Sequence, residues 1–365
     1  MPRHDLIIVG AGPVGMTLAL ALKDSGLDIL LVDARARGAA RHDPRVLALS
    51  HGSRLTLERL GIWPQLQATP IETIHISQQG RLGRSLLTAA DYGLPAMGYV
   101  VAAGNLAAAL DDALAAAGIP IQGDSPVSSL TAGADNVTLK LADGTLEARL
   151  VACAEGSIQG SDAPELVERD YAQHAVISVA TPVEGHAHRA WERFTPQGST
   201  ASPAEADALM AEGDDAYRAR LQAHFGERLH FASVGPRARY PLLLRYRPDP
   251  VGPRTVWLGN AAQTLHPVAG QGYNLALRDV WALAQVLLRA DGDPGAPDTL
   301  ARYAGERRLD RQGTIRFTDG LVRLFSNAIT PLAHARGAGL FALDLLPPAR
   351  HFVAKRMMFG ARAWP

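Results

Sequence analysis

The segment from Asp5 to Asp33 constrains the fold of this chain more than any other stretch. Leu6–Val9 is a short continuous apolar run, which predicts a strand buried on both faces of a parallel sheet. A glycine pattern, Gly10-Ala-Gly12-Pro-Val-Gly15, follows directly, and the Ala/Leu-rich residues behind it predict a helix. A second apolar run, Ile29–Val32, ends at Asp33. The order of strand, glycine turn, helix, strand and acid predicts a dinucleotide-binding α/β unit.

The residue types of this unit suit a dinucleotide for physical reasons. Gly10 permits a tight turn, Gly12 lets the backbone approach a pyrophosphate, and Gly15 lets the helix lie close to the strand. The pyrophosphate is expected at the positive end of the helix, and Asp33 is placed to accept hydrogen bonds from ribose hydroxyls. A glycine turn of an ordinary α/β protein is the alternative, and the identity of the dinucleotide stays open at this point. The cofactor-binding residues predicted here are Gly10, Gly12, Pro13, Val14, Gly15, Asp33 and Ala34.

A basic loop that follows Asp33 carries four arginines. Arg35, Arg37 and Arg41 are each interpreted as solvated side chains, although arginines beside a phosphate site can pair with it. Arg45 differs because it stands just before the apolar segment Val46–Ser50, where the chain re-enters the structure. We therefore predict that Arg45 contacts the cofactor.

Composition excludes several classes of protein. The 36 basic and 36 acidic residues give a net charge of zero, so no electrostatic argument favours nucleic acid. Cys153 is the only cysteine, which excludes intramolecular disulfides and cysteine-rich metal sites and suits a cytoplasmic location. The first predicted strand starts within a few residues of Met1, and no apolar run reaches the ~18 residues of a membrane span. Neither a signal peptide nor a spanning helix is expected.

The middle of the chain contains short β-like pieces between Gly-rich turns, which predict a second domain interleaved with the first. The Asp143-Gly144 turn between two apolar runs predicts a β-hairpin. Pro203–Phe225 is predicted as one helix, and Pro241–Pro253, with four prolines, as a loop. In the strand predicted for WERFT, Glu192 and Arg193 fall on opposite faces, and either could belong to the sheet surface or to a pocket.

A second glycine-bearing motif lies at residues 255–279. An apolar strand is predicted to end at Gly259 and to deliver Asn260, and a Pro/Gly loop then leads to Tyr273, which opens a long helix. Free N–H groups and the dipole at that helix N-terminus would favour an anion such as the pyrimidine edge of a reduced flavin. A connection whose glycines serve packing is the alternative. The residues predicted to contact the cofactor here are Gly259, Asn260, Pro267, Gly270, Gln271, Gly272, Tyr273 and Asn274.

The two motifs together resemble the single-component flavoprotein aromatic hydroxylases, which share the fold of p-hydroxybenzoate hydroxylase. The second motif reads GNAAQTLHPVAGQGYN, and Asn260 stands where most of that family has Asp. In this respect the chain is similar to the UbiH/VisC-type hydroxylases of ubiquinone biosynthesis. The resemblance covers nearly the whole chain. Further matching stretches are DPRVLALSHGSR at 43–54, WERFTPQG at 191–198, TIRFTDGLVRLFSN at 314–327 and GLFALDLLPPAR at 339–350.

The resemblance implies an α/β fold with a Rossmann-like FAD-binding domain, an interleaved β-sheet substrate domain and C-terminal helices. It implies bound FAD, NAD(P)H as a transient reductant, and hydroxylation of the aromatic ring of a polyprenylated phenol by O₂ through a flavin C4a-hydroperoxide. A hydroxylase for a soluble phenol and a catalytically weakened FAD-binding scaffold of a ubiquinone-synthesis complex are the alternatives. The implied bounds are 1–70, 101–172 and 250–292 for the FAD-binding domain, 71–100 and 173–249 for the substrate domain, and 293–365 for the helical region.

The resemblance also implies roles for single residues. The first glycine pattern and Asp33 hold the ADP half, Arg45 contacts the pyrophosphate region, and Asn260 holds the ribityl hydroxyls. For His266 a structural role is favoured over acid–base catalysis. The residues assigned to the reaction centre, as walls of the isoalloxazine that steady its anionic form, are His266, Pro267, Gly270, Gln271 and Gly272.

Two departures from the family pattern bear on function. The middle motif, which normally reads Asp-Gly with a Ser and an Arg downstream, reads Glu155-Gly156-Ser-Ile-Gln here, so the acid is longer and the arginine is missing. Glu155 and Gly156 are kept as predicted cofactor contacts. After Gly198 the chain lacks a strand, turn and strand of about fifteen residues that relatives carry. This is either a true deletion, which would alter substrate binding and leave FAD binding intact, or a stretch missing from this sequence.

The C-terminal segment after Asp344 contains basic residues, apolar residues such as Phe352 and Trp364, and no acid. A basic amphipathic segment can lie on an anionic membrane surface, which predicts peripheral attachment at the inner face of the membrane. A packed terminal helix with solvated charges is the alternative.

Overall fold

The structure, a computed structural model, describes residues 3–79, 84–155, 165–194, 201–267, 270–325, 337, 339, 341–342 and 344–360. Runs of consecutive strands, separated by one or two α-helices, make up most of the described elements, and α-helices come last. The strands are β1 (Arg3–Val9), β2 (Ile29–Val32), β3 (Val46–Ser50), β4 (Ala68–Ile71), β5 (Thr73–Gln78), β6 (Arg84–Thr88), β7 (Gly98–Ala102), β8 (Ile121–Gln122), β9 (Ser129–Ala132), β10 (Val137–Leu141), β11 (Gly144–Cys153), β12 (Val167–Pro182), β13 (Arg189–Phe194), β14 (Phe231–Tyr246), β15 (Val251–Gly252), β16 (Thr255–Trp257) and β17 (Gln263–Thr264). The helices are α1 (Pro13–Ala21), α2 (His51–Arg59), α3 (Ala103–Ala116), α4 (Pro203–Ala211), α5 (Asp214–Phe225), α6 (Gln271–Leu288), α7 (Pro297–Phe325) and α8 (Pro347–Phe359).

The main sheet has the strand order β15-β16-β11-β1-β2-β8. In addition, β10 pairs with β11, and β9 pairs with β10. β16, β11, β1 and β2 run parallel, and their register places Val9 between Val32 and Cys153, with Trp257 beside Cys153. Residues of α1, α3 and α6 form the apolar cluster on one face, and residues of β9 and β10 contribute to the cluster on the other. Because both faces are covered, β1 and β2 carry continuous apolar runs rather than an alternating pattern.

A buried charge network fastens α6 to α7. Asp279 of α6 accepts a hydrogen bond from Gln263 Nε2 at 2.6 Å and pairs with Arg307 of α7 at 2.6 Å. Arg307 also pairs with Asp310, which in turn pairs with Arg278. Since every charge in the network has a partner of opposite sign, removing one member would leave an uncompensated buried charge.

Three smaller sheets have three strands each, in the orders β12-β14-β17, β13-β5-β6 and β3-β7-β4. The second of these, called the β5 sheet below, packs one face against α8, where Ile74 and Leu87 meet Ala354 and Met358. Its other face lines an open pocket of about 310 Å³.

The prediction of one helix over Pro203–Phe225 is wrong, because two helices occupy this stretch. The chain leaves the helical region at Glu212, whose φ and ψ are −61° and 146°, and Gly213 then caps the second helix. Asp214 and Asp215 follow in the first turn of α5, where acidic residues favour a helix N-terminus. α4 therefore ends before Glu212, and α5 begins after Gly213 with two acidic residues in its first turn.

The prediction of a loop over Pro241–Pro253 is wrong in two parts, because β14 continues to Tyr246 and β15 occupies Val251–Gly252. Pro241 lies opposite His174 of β12. The backbone N–H and C=O of His174 bond to Ala201 instead, at 2.7 and 3.0 Å. Because His174 makes its backbone hydrogen bonds to Ala201, it requires no N–H donor from the residue opposite. Proline, which has no N–H, is therefore tolerated at position 241.

The parallel sheet, the additional β-sheets and the C-terminal helices confirm the predicted α/β fold class. The hairpin at Asp143-Gly144 is confirmed as the β10–β11 pair. The domain bounds stay predictions, and Gly156, the junction after Gly198 and residues 361–365 lie outside the described residues. In the part of the chain that the structure describes, no helix has both the length and the apolar character that crossing a membrane requires.

Candidate active site at the carboxyl edge of the main sheet

Four sequence-predicted residues follow neighbouring parallel strands and reach one edge of the main sheet. In spatial order, Gly259 lies behind β16, Glu155 behind β11, Gly10 behind β1, and Asp33 behind β2. The carboxyl ends of parallel strands meet at the same edge, and open α/β sheets bind their ligands there. This edge is therefore the candidate site.

The glycines of the first pattern are required for different reasons. Gly10 has a φ of +110°, and a Cβ on it would lie 3.0 Å from the backbone nitrogen of Glu155. A Cβ on Gly15 would collide with the carbonyl oxygen of Gly10. Gly12 has an ordinary extended backbone, and no atom of the described chain lies within 4 Å of the position its Cβ would take. The fold therefore requires Gly10 and Gly15, whereas the space beside Gly12 is left for something else.

Asp33 is 5% exposed, and its carboxylate is held by the first loop. Oδ2 accepts a hydrogen bond from the Ala11 N–H at 2.7 Å, and Oδ1 accepts one from the Arg35 N–H at 2.8 Å. The Arg35 guanidinium adds bonds at 3.1 and 3.2 Å. Burial raises the pKa of Asp33, but these hydrogen bonds outweigh burial and leave the pKa below its ordinary value. The carboxylate is ionised, as an acceptor for ribose hydroxyls must be.

The remaining arginines of the basic loop are paired within the protein. Arg37 and Arg41 both pair with Asp111 of α3, at 3.2 and 2.7 Å, so they are fastened to a helix rather than free in solvent as predicted. Arg45 pairs with Asp43 through two bonds of 2.9 and 2.6 Å, while 55% of its side chain remains exposed. Its contact with the cofactor stays a prediction.

The second motif packs directly on the first. Gly259 has a φ of +55°, and a Cβ on it would lie 3.0 and 3.3 Å from the two γ-carbons of Val14. Tyr273 packs into the apolar cluster that also holds Ala11 and Val14. Asn260 is exposed at the same edge. Two patterns that are far apart in sequence therefore share one surface of the molecule.

The loop before α6 approaches β3. Gly270 begins the helix in the left-handed region, with a φ of 60°, and a Cβ on it would lie 3.2 Å from the Cβ of Ala48. Its N–H donates to the Pro267 carbonyl at 2.9 Å, and Gln271 Nε2 donates to a backbone carbonyl of α8 at 3.4 Å. Beside Gly272 the described chain leaves open space, as it does beside Gly12. The loop thus contacts β3 and α8, and it borders open space at Gly272.

Asn274 holds this loop in place with its side chain, which is 2% exposed. Its Oδ1 accepts hydrogen bonds from the Ser50 N–H at 2.8 Å and the Ser53 hydroxyl at 2.7 Å. Its Nδ2 donates to the carbonyls of Ala48 and Gly270, at 2.9 and 2.7 Å. The amide is therefore used within the protein, so the predicted contact of Asn274 with a cofactor would have to come from its backbone.

His266 is buried, and its ring stands edge-on to Tyr171 at a centroid distance of 5.7 Å. Tyr171 in turn donates to Asp319 of α7 at 2.9 Å. Burial lowers the pKa of His266 to about 4, so the imidazole is neutral at physiological pH. A buried neutral ring packed against tyrosine favours the structural role over acid–base catalysis.

Sequence reasoning missed the partners that hold these loops. Ser50 and Ser53 form a Ser-x-x-Ser start signal for α2, in which the Ser53 N–H donates to Ser50 Oγ at 3.2 Å. That signal predicts a helix start, but nothing in it points to Asn274. Arg35 was interpreted as solvated, although its spacing of two residues from Asp33 allows the local pairing that is observed.

The arrangement fits FAD at both ends. α1 and α6 each begin at a glycine without a side-chain cap, so their first N–H groups remain available to an anion. Each helix start also carries one glycine beside open space, at Gly12 and Gly272. An ionised acid, Asp33, lies at the first loop, as the ribose of the ADP half requires.

Comparison with known proteins agrees with this site. The sequence model of the family described as FAD binding domain matches residues 3–161 and 159–318. Ubiquinone hydroxylase UbiL of Rhodospirillum rubrum is 33% identical, with 99% of this chain and 91% of the relative covered. The 3-demethoxyubiquinol 3-hydroxylase of Escherichia coli is 29% identical, with 93% and 94% covered.

Solved structures show the same fold. The p-nitrophenol 4-monooxygenase PnpA of Pseudomonas putida superposes with a TM-score of 0.76 at 15% identity, covering 99% of this chain and all of that one. PqsL of Pseudomonas aeruginosa gives a TM-score of 0.70 at 19% identity over 93% of this chain. The chain therefore belongs to the FAD-binding-domain family, and it is an FAD-dependent aromatic monooxygenase.

Proposed function

We propose that this enzyme hydroxylates the aromatic ring of a polyprenylated phenol in ubiquinone biosynthesis, with NAD(P)H as reductant and O₂ as oxidant. The similarity to two ubiquinone-pathway hydroxylases over more than nine-tenths of the chain supports the substrate class. The observation that carries the proposal is the packing of Gly259 on Val14. It brings the glycine patterns for the two ends of one flavin nucleotide onto one surface.

The predicted site residues become the proposed holders of FAD. Residues 71–100 and 173–249 are proposed as the substrate domain that faces them. Gly156 belongs to the proposal although it lies outside the described residues. The ADP half is assigned to Gly10, Gly12, Pro13, Val14, Gly15, Asp33, Ala34, Arg45, Glu155 and Gly156, and the ribityl and isoalloxazine part to Gly259, Asn260, His266, Pro267, Gly270, Gln271, Gly272, Tyr273 and Asn274.

The chain's own contribution is binding, orientation and exclusion of water. When bound and reduced, FAD supplies the activation of O₂ that places one oxygen atom on an electron-rich ring. The uncapped N–H groups at the start of α6 are suited to negative charge on the reduced flavin. His266 is buried, and because its pKa is lowered to about 4 it is neutral and brings no acidic proton to this region. Exclusion of water by the bound substrate would protect the reactive oxygen species formed on the cofactor.

The test is NADPH oxidation by the FAD-loaded protein in the presence of 2-prenylphenols of increasing prenyl length. We expect oxidation to be stimulated by the phenol, to rise with prenyl length, and to yield a product heavier by one oxygen atom. Stimulation that is independent of the prenyl chain would instead identify a hydroxylase for soluble phenols. Bound FAD without stimulated oxidation would contradict the proposal and identify a scaffold. Hydrogen peroxide is measured as the control for uncoupled oxidation.

Peripheral membrane contact is proposed through the C-terminal region. Four large apolar side chains there are between 51% and 62% exposed: Phe341, Leu345, Leu346 and Phe352. Lys355, also exposed, adds basic charge nearby. We expect the protein to float with vesicles that contain anionic lipid, and the double variant L346S/F352S to remain in solution. Absence of flotation at low salt would contradict the proposal. Association with other proteins of the pathway stays a prediction.

A further inference from the structure

The β5 sheet has two unlike faces. Side chains alternate along β13. Trp191 therefore lies on one face of the sheet, and Glu192 and Phe194 lie on the other. Trp191 lines the open pocket on the outer face. Phe194 is buried and packs with Ile76 and with Leu321 of α7. Glu192 therefore lies on the inner face, the one that packs against α7 through Phe194.

The inner face carries polar groups that the described chain does not pair. Ser85, Ile76 and Glu192 form one row across β6, β5 and β13. Ser85 Oγ, Gln78 Oε1 and Thr318 Oγ1 of α7 are buried without a hydrogen-bond partner among the described residues. The pKa of Glu192 is raised by burial alone, with no contribution from a neighbouring charge or donor. Buried polar groups are normally paired, so this set points to a partner outside the described chain.

α7 connects this face to the flavin loop. Ile315 packs with Leu265 and Leu275, which lie directly before His266 and in the first turns of α6. Leu321 packs with Phe194 of the β5 sheet. Six helical residues separate Ile315 from Leu321, a rise of about 9 Å. α7 therefore contacts both this face of the β5 sheet and residues that flank the loop with the proposed isoalloxazine contacts.

We propose that Glu192 binds the phenolic hydroxyl of the substrate, with the aromatic ring packed against Phe194 and Ile76. The inference rests on the proposed function and deepens it. A phenol offers an apolar ring and one O–H donor, and this face offers apolar side chains and a carboxylate acceptor. A hydrogen bond to a carboxylate in apolar surroundings is stronger than one between neutral groups. Leaving the carboxylate unpaired lowers the stability of the empty enzyme, which is common at binding sites.

The test compares binding of 2-prenylphenol and of its methyl ether to oxidised, FAD-loaded enzyme by calorimetry, without NAD(P)H and hence without turnover. We expect the wild type to prefer the phenol at least tenfold, because only the phenol has an O–H to donate. Glu192→Leu should abolish this preference, and Glu192→Gln should retain part of it through its amide oxygen. Glu192→Leu should also melt at a higher temperature, because a partly buried carboxyl without a hydrogen-bond partner in the described chain is replaced by an apolar side chain. The matched control is Glu168→Leu, a strand glutamate whose side chain is 57% exposed, and it should change neither result.

Three outcomes would overturn the inference. An undiminished preference for the phenol in Glu192→Leu would show that another group recognises the hydroxyl. A lower melting temperature with unchanged phenol affinity would make Glu192 structural. Slower flavin reduction by NADPH in the absence of phenol would assign Glu192 to the nicotinamide instead. If the wild type binds neither compound, the proposed function fails. If the wild type binds both compounds equally, the proposed function can stand but the inference about Glu192 fails.

Discussion

The two glycine loops of the candidate site differ in how the protein holds them. The loop at residues 10–15 is fixed by hydrogen bonds to the β2 backbone, to the adjacent Asp33 carboxylate and within the first turn of α1, all inside one βαβ unit. The loop at residues 259–274 is fixed by side chains and by elements far away in sequence: Asn274 bonds to Ser50 and Ser53 of the β3–α2 connection. The first loop is thus a local structure, whereas the second exists only when the whole chain has assembled.

The loops also share a feature that separates folding from ligand binding. Each has glycines that the fold requires, among them Gly15 against the Gly10 carbonyl and Gly270 against Ala48. Each has another, Gly12 and Gly272, beside which the described chain leaves open space. The fold explains the first pair, and the space beside the second pair is available to a ligand.

The largest effect is expected from Asn274→Ala, which would break the second loop. Four hydrogen bonds would be lost, two of them buried, and at about 1 kcal/mol each the free energy of unfolding should fall by about 4 kcal/mol. Chemical denaturation of the FAD-free protein measures this directly. Asn105→Ala, an exposed asparagine in α3, is the matched control and should lie near wild type. Equal, small losses for both variants would mean that the second loop does not depend on its distant partners.

Acid should loosen the second loop before the first. The pKa of His266 is about 4 in the folded protein, whereas an ordinary histidine has a pKa of 6.5. Between pH 4 and pH 6.5, His266 is therefore protonated more fully in the unfolded chain than in the folded protein. The stability that His266 contributes is therefore complete above pH 6.5 and is lost as the pH falls towards 4, a loss of about 3 kcal/mol. The pKa of Asp33 in the first loop lies below 3.8, so its contribution persists through this range.

Denaturation curves at pH 7 and pH 4 check this prediction. We expect His266→Phe, which keeps a ring against Tyr171, to lose much less stability on acidification than the wild type. His230→Gln alters a histidine whose side chain is 50% exposed and should behave as wild type. Parallel losses in all three proteins would assign the acid sensitivity to other groups.

Gly15→Ala tests the local loop. Its Cβ would collide with the Gly10 carbonyl oxygen and lie 3.1 Å from Ile8 Cγ2, so overpacking should lower the free energy of unfolding by about 2 kcal/mol. Gly12→Ala, three residues away, should lower stability much less, because the added Cβ meets no described atom and only the weaker N-cap preference of alanine opposes it. Thermal melts without FAD measure both. A Gly12→Ala variant destabilised as much as Gly15→Ala would show that Gly12 also serves the fold.

The sequence predicted what is local and missed what depends on assembly. The unit from β1 to Asp33 follows from a spacing of residues within one supersecondary structure, and so do the β10–β11 hairpin and the start of α6. The role of Asn274 could not be predicted, because its partners lie more than two hundred positions away. Pro241 was assigned to a loop because proline usually excludes a strand, and only the pairing of His174 with Ala201 shows why it is tolerated.

The most direct test of the central claim, that the two loops hold opposite ends of one flavin nucleotide, is binding of ADP, FMN and FAD to Gly12→Ala and Gly272→Ala. Added methyl groups in open space leave the fold intact and meet only the ligand. We expect Gly12→Ala to weaken ADP and FAD at least tenfold and to spare FMN, a change of about 1.4 kcal/mol or more. Gly272→Ala should weaken FMN and FAD to a similar extent and spare ADP. Two variants that bind FAD as tightly as the wild type would contradict the claim.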